Sequence, residues 1–430
     1  MVMVGLFVLA GLVIGAVAGF LVRSARPVRQ SGTLSHSVYV WQRFHGDNVV
    51  DALRQAAPCT AGFTVLAAEV AWTSSGEPQV FRVSPDYAAL KQTGRPVGFA
   101  LRVGPYSGSF DPQDQACRLL CGLAVETISK TRQHGLEPAE MQIDFDCPES
   151  KLDSYRRWVE AMKREVAPVK LTITTLPCWL NQSSFARLVR STDGFVLQVH
   201  SLERPAGVDA DLVLCDPRSA ADWVEQAARL GVPFRVALPT YGYLVAFGTD
   251  GQFVGLNAEG PSQSWPQGVT IRALRADPFE MAGLLKSWER SRPLTMEGVI
   301  WYRLPVKGDR LNWRWVTLST VMSGTTPRRG LHAGVNYPQT GLAEVYLVND
   351  GQMDESPDVS IHLEWDARGL LGADGLNGFS RTQTNPTSIR LERAGPEDPR
   401  MIAPGEKWMV GWLRFDGRKE VRSHVSRLGS

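Results

Sequence analysis

The stretch Glu140-Met141-Gln142-Ile143-Asp144-Phe145-Asp146-Cys147-Pro148 sets two carboxylates two positions apart in an otherwise apolar run. Alternation of polar and apolar residues is the period of a β-strand. Met141, Ile143 and Phe145 then share one face, and Gln142, Asp144 and Asp146 share the other. Carboxylates held this close repel, so one keeps its proton while its neighbour ionises. A general acid beside an electrostatic stabiliser needs that split. Burial of such a pair is costly unless the charges are paired or used. An internal ion network, with Arg102 or Arg235 holding Asp144, is the alternative to a reaction centre.

A strand that carries chemistry at its end needs a scaffold, and the surrounding sequence supplies one. Short apolar runs recur at 38–43, 63–72, 96–104, 140–146, 170–177, 194–201, 234–242 and 298–304. Amphipathic stretches alternate with them, at 117–135, 154–166, 219–231 and 277–291. Gly135 and Gly231 are suited to close two of these helices, and Asp153 is suited to cap a third. Eight strands alternating with helices predict a (β/α)8 TIM barrel over 36–325. A doubly wound open sheet is the alternative, but no glycine-rich phosphate loop follows the first strand. After the last barrel helix (311–324) and a linker at 325–330, strand patterns separated by turn signals predict a small β-sandwich over 331–425.

In barrels of this kind the reacting groups sit at the C-terminal ends of the strands. On that basis Asp144 and Asp146 lie at the mouth. Glu69, read in phase with Val65 and Ala67, joins them as a further carboxylate. Arg102, Gln198, His200 and Tyr241 fall at the ends of other strands. Trp41, Tyr106 and Trp179 fall at strand ends or in the loops after them, where rings could stack on sugar C–H faces.

The pattern Gln142-x-Asp144-x-Asp146 on the fourth strand resembles the acidic strand of chitinase-type barrels, glycoside hydrolase family 18, whose own pattern is Asp-x-Asp-x-Glu. Asp146 stands where that family has Glu, and Gln142 where it has the first Asp. The fuller stretch Ile143-Asp-Phe-Asp-Cys-Pro, followed by Leu152, Tyr155 and Trp158, more closely resembles a bacterial family of unassigned role, domain of unknown function 3142. The likeness covers roughly residues 36–325. It implies Asp146 as the acid, with Asp144 orienting an N-acetyl group that supplies the nucleophile. Glu69, from its place on the second strand, is the candidate assistant, as second carboxylate of a conventional two-acid mechanism. The resemblance also implies Trp301 on the eighth strand as an aromatic floor under the sugar. Gln142, Tyr241, His200, Gln198, Arg102 and Trp41, by their predicted places on the inward faces and at the ends of the strands, are the expected substrate-binding residues.

The 430-residue chain is 43% hydrophobic and 21% charged, the make-up of a folded protein. Its formal net charge of +2 lacks the basic excess of a phosphate-backbone binder, so nucleic acid is not expected as a partner. The six cysteines form no CxxC pair, and no HExxH, GxSxG or Walker loop occurs. No metal or cofactor is expected; a metal-dependent hydrolase built on Asp144, Asp146 and His200 is the minor alternative. From Gly5 to Val22 the chain carries no charge. Residues 1–30 therefore read as a membrane anchor or signal segment. Arg23, Arg26 and Arg29 after the run would by the positive-inside rule keep the body inside, and its expected place facing the periplasm or cell exterior follows from the function alone. The expected function is that of an O-glycosyl hydrolase acting on a cell-envelope or extracellular polysaccharide. The alternative is a non-catalytic carbohydrate-binding or scaffold protein on an inactive barrel.

Overall fold

The computed structural model describes residues 27–258, 265–393 and 400–427. The apolar run Gly5–Val22 lies outside the described residues. Among those described, no helix is long and apolar enough to cross a membrane.

Eight parallel strands close on themselves: β1 (Ser35–Val40), β2 (Gly62–Trp72), β3 (Val97–Val103), β4 (Pro138–Phe145), β5 (Lys170–Thr175), β6 (Gly194–Gln198), β7 (Phe234–Pro239) and β8 (Met296–Tyr302). Each pairs with the next, and β8 pairs back onto β1, so no edge is left open. The predicted (β/α)8 barrel is thus the observed fold. Between the strands run α1 (Asp47–Ala56), α2 (Tyr87–Gln92), α3 (Gln115–Gln133), α4 (Leu152–Val166), α5 (Ser183–Arg190), α6 (Pro217–Ala228), α7 (Pro278–Arg290) and α8 (Trp315–Met322). Gly135 and Gly231 follow α3 and α6 with positive φ, the left-handed geometry that an L side chain resists. Asp153 does not cap α4. A short 3-10 turn at Glu149–Lys151 leads into the helix, so Asp153 lies in its first turn, where a negative charge complements the helix dipole.

The outward faces of the strands pack under the helices. Met141, Ile143 and Phe145 belong to this main core, together with Leu120, Trp158 and Val159 of the covering helices. A smaller core fills the barrel interior with Tyr39, Trp41, Leu66, Ala100, Val196, Ala237 and Ile300, with Tyr302 packed against it. At the N-terminal base the interior is polar. Arg235 donates to Glu140 at 2.6 Å, and the Thr64 and Thr172 hydroxyls both reach Glu140 at 3.3 Å. Gly98 leaves the space for this carboxylate, since a Cβ there would lie 2.6 Å from Glu140 Cγ. Residues Arg29–Gln30 pair with Arg292–Pro293 just before β8, so the chain enters at this base.

Between β7 and α7 an antiparallel sheet is inserted, formed by Gly242–Phe247, Phe253–Asn257 and Thr270–Arg275. Its sequence signal is the Asp250-Gly251 turn between two apolar runs. After α8 the chain forms two four-stranded antiparallel sheets. Their facing side chains, including Val345, Leu347, Ile361, Leu363, Ile389, Leu391 and Leu413, make a separate core. Barrel and sandwich are joined by the Arg314–Asp354 ion pair at 3.3 Å and by Thr317 donating to the Gln352 carbonyl at 2.8 Å. Buried Glu355 accepts from the Gly330 and Leu331 amides at 2.8 and 3.3 Å, which fixes the end of the linker.

Candidate active site at the barrel mouth

The upper half of β4 points Gln142 and Asp144 inward. Gln142 lies one layer deep and is fully buried, with its Oε1 accepting from the Tyr39 hydroxyl at 2.9 Å. Among the described residues its Nε2 has no hydrogen-bond partner. Gln142 is therefore under the site, out of reach of a ligand at the mouth. Asp144 lies above it and is 8% exposed. Its carboxylate accepts from Thr174 Oγ1 at 2.7 Å and from Arg102 Nη1 at 3.1 Å. Burial pushes the Asp144 carboxyl above its ordinary range, and Asp146 and Glu69 push the same way; Arg102 and Thr174 oppose them.

Strand β4 ends at Phe145, so Asp146 stands beyond it, exposed to solvent. The expected inward stacking of Asp144 and Asp146 is corrected accordingly: the pair is one buried and one open carboxylate. Among the described residues Asp146 forms no ion pair, while its charge is felt at both Asp144 and Arg102.

Glu69 reaches the mouth by a different route from the one its spacing suggests. Val65 and Ala67 belong to the outer core, so simple alternation would turn Glu69 outward as well. The β2–β3 register shifts between Leu66 and Ala68. This β-bulge inserts one residue and reverses the phase of the strand beyond it. Glu69 is thereby brought level with Arg102, and Arg102 is level with Asp144. Glu69 forms an ion pair with Arg43 of the β1–α1 loop. Arg102 thus sits between carboxylates: desolvation works against its charge, but Asp144, with Asp146 and Glu69, keeps its pKa up. Arg235 pairs with Glu140 at the opposite end of the barrel and takes no part in holding Asp144.

Aromatic rings wall the mouth on the β7–β8–β1 side. Tyr302 ends β8 pointing inward, against Trp41 (5.5 Å between ring centroids), Tyr241 (5.3 Å) and His200 (5.8 Å, stacked). His200 Nδ1 lies 3.1 Å from the Tyr241 hydroxyl, and among the described residues its Nε2 has no partner. Burial lowers the His200 pKa to about 3, so the ring is neutral. Gln198 donates to the His200 carbonyl at 3.3 Å. Among the described residues no group of three or more His, Cys, Asp or Glu side chains could hold a metal ion.

Trp301 is not the floor of this site. Its neighbour Ile300 fills the barrel interior, so alternation turns the indole outward. There it is fully buried, donating to His36 Nδ1 at 3.2 Å and packing on Trp313. Tyr302 holds the inward position instead. Trp179 packs on Phe185 in the outer core, and Tyr106 packs on Trp72 and Trp158. Neither lines the mouth. The residues that sequence reasoning missed are Tyr39, Thr174, Tyr302 and Arg43. A strand phase that puts Ile300 inside would have found Tyr302, two residues on.

The fold and the position of these side chains define the class: a (β/α)8 barrel with an acidic, aromatic-walled C-terminal mouth. A family profile with the description "Domain of unknown function (DUF3142)" matches residues 93–307, which include the whole of β4, and the chain belongs to that family. No curated protein matches the chain in sequence. Among solved structures, the spore cortex-lytic enzyme SleL of Bacillus megaterium is similar at 11% identity and a TM-score of 0.49, over 69% of this chain and 75% of that one. SleL of Bacillus cereus is similar at 10% identity and 0.47, with the same coverage. A chitinase from Chromobacterium violaceum is similar at 13% identity and 0.45, over 68% of this chain and 98% of its own.

Proposed function

We propose that this chain is a glycoside-hydrolase-like protein that takes a polysaccharide across the barrel mouth, with Asp146 as proton donor and Asp144 as its positioning partner. The observation that carries the reading is the unequal carboxylate pair. Asp144 is buried and held in one orientation by Arg102 and Thr174, while Asp146 is open to solvent just above it. A glycan lying over Asp146 would strip its water, which favours the neutral carboxyl that can give up a proton. Asp144, fixed by Arg102 and Thr174, can accept a hydrogen bond from the amide N–H of a ring substituent such as an N-acetyl group. Tyr302, Tyr241, His200 and Trp41 supply an apolar wall with polar tips, which suits a sugar ring.

The natural substrate in this reading is a cell-envelope or extracellular polysaccharide. The apolar run Gly5–Val22 supports an envelope location. Entry of the chain at the barrel base supports a mouth that faces away from whatever holds that segment.

One observation favours a second reading, a carbohydrate-binding barrel without turnover. Arg102 neutralises Asp144, and Arg43 neutralises Glu69, so two of the three mouth carboxylates are already paired. A panel of N-acetylated and neutral glycans separates the two. Cleavage by the purified chain supports the hydrolase; binding without cleavage supports the binder. A chain that neither binds nor cleaves any of them contradicts both.

A further inference from the structure

A short strand, Pro78–Arg82, runs antiparallel to the upper end of β2 and places Phe81 directly across from Glu69. Glu69 is level with Arg102 on β3, and Arg102 with Asp144 on β4. Phe81, Glu69, Arg102 and Asp144 therefore form one row across four neighbouring strands. Neighbouring strands are spaced by about 4.8 Å, so the row spans about 14 Å. At its outer end Phe44, from the β1–α1 loop, packs edge-on against Phe81 with 6.1 Å between centroids. Phe44 is 78% exposed and Phe81 36%. Arg43 ties this pair to the site, because its guanidinium lies 5.1 Å from the Phe81 ring centre while it pairs with Glu69.

Single exposed apolar side chains are common on protein surfaces and need no explanation. Phe44 differs in three respects: its ring is coupled to a second ring, the pair is braced by a cation, and the row runs without a break to the buried carboxylate. We propose that Phe44 and Phe81 form a stacking platform for a remote ring of the bound glycan, so that the site prefers long chains to short ones. This rests on the glycan reading of the mouth. A pyranose presents an apolar C–H face to an aromatic ring, and the remaining guanidinium hydrogens of Arg43 can meet ring hydroxyls. A disaccharide seated at Asp144 and Asp146 does not span the row; a longer oligomer does.

The test compares the binding of β-1,4-linked N-acetylglucosamine disaccharide and hexasaccharide to the full chain and to Phe44→Ala. The exposed position of Phe44 leaves the fold untouched. The expected result is a loss of roughly three- to tenfold for the hexasaccharide, with unchanged disaccharide affinity and recovery in Phe44→Trp. An equal loss for both sugars, or no loss for the hexasaccharide, overturns the platform while leaving the glycan reading in place. If the wild-type chain binds neither sugar, the platform as proposed fails; the glycan reading fails with it only if the neutral glycans of the panel are refused as well.

Discussion

Arg102 on β3 and Asp144 on β4 are level with each other, and Nη1 of the one lies 3.1 Å from Oδ2 of the other. The arginine side chain is 46% exposed and the aspartate 11%. The pair thus points a solvated cation at a buried acid, with Thr174 fixing the second carboxylate oxygen. The arrangement holds Asp144 in one place, yet burial still lifts its pKa.

The sign of that shift gives a stability prediction. The folded state holds the Asp144 proton to higher pH than the unfolded chain does, so Asp144 costs stability as pH rises above the ordinary aspartate value of 3.8. Asp144→Asn removes this cost and keeps a group that can accept from Thr174. The stability of the variant relative to wild type should increase between about pH 4 and pH 7. Urea unfolding at several pH values checks this; a constant or falling difference would show that Asp144 is not held high.

His200 should act in the opposite direction. Its folded-state pKa of about 3 lies below the unfolded value of 6.5, so the unfolded state takes up protons first. The stability it contributes is present above 6.5 and is lost as pH falls toward 3. His36, lowered to about 4 by burial, adds to the same loss. In His200→Gln the fall in melting temperature between pH 6.5 and pH 4 should be visibly shallower than in wild type. An unchanged slope would mean that the ring is already charged in the fold.

Much of the fold is legible in the sequence because it depends on periodicity. The eight apolar runs name the eight barrel strands, and the β4 alternation gives the correct face for Gln142 and Asp144. Three site features lie beyond periodicity. Asp146 comes after the last paired residue of β4, so alternation no longer governs it. Glu69 is turned by a bulge, which the sequence Val65-Leu-Ala-Ala-Glu69 does not advertise. At the end of β8, residue type favours Trp301 as the sugar floor, although the phase of the strand favours Tyr302. The inserted three-stranded sheet escapes the same reading because its strands break the barrel rhythm.

The positions of Trp301 and Tyr302 separate stability from ligand contact. Trp301→Ala should destabilise by about 3–5 kcal/mol, since it empties a fully buried indole site and leaves His36 Nδ1 unpaired. Tyr302→Phe, which keeps the ring packed against Trp41, Tyr241 and His200, should lower glycan affinity with little loss of stability. Thermal unfolding alongside sugar titration of both variants checks the assignment; a larger affinity loss in folded Trp301→Ala would reverse it.

The bulge makes a structural prediction of its own. Inserting one alanine between Ala68 and Glu69 shifts the strand beyond the bulge by one position, so Glu69 should face the helices and lose Arg43. Arg43 is 57% exposed, so the lost ion pair itself should cost at most about 1 kcal/mol. Turning a carboxylate into the outer core should cost considerably more. Glu69→Gln, which keeps the bulge, should stay close to wild-type stability. Comparable unfolding midpoints for the insertion and Glu69→Gln would argue against the inward placement that the bulge gives Glu69.

The most direct test is the rate at which Asp146→Asn cleaves an N-acetylated glycan that the wild-type chain cleaves, read by chromatography of the products with binding measured in parallel. The reading of Asp146 as proton donor predicts that cleavage falls by about 100-fold or more while binding persists. Asp146→Asn cleaving at the wild-type rate would contradict it.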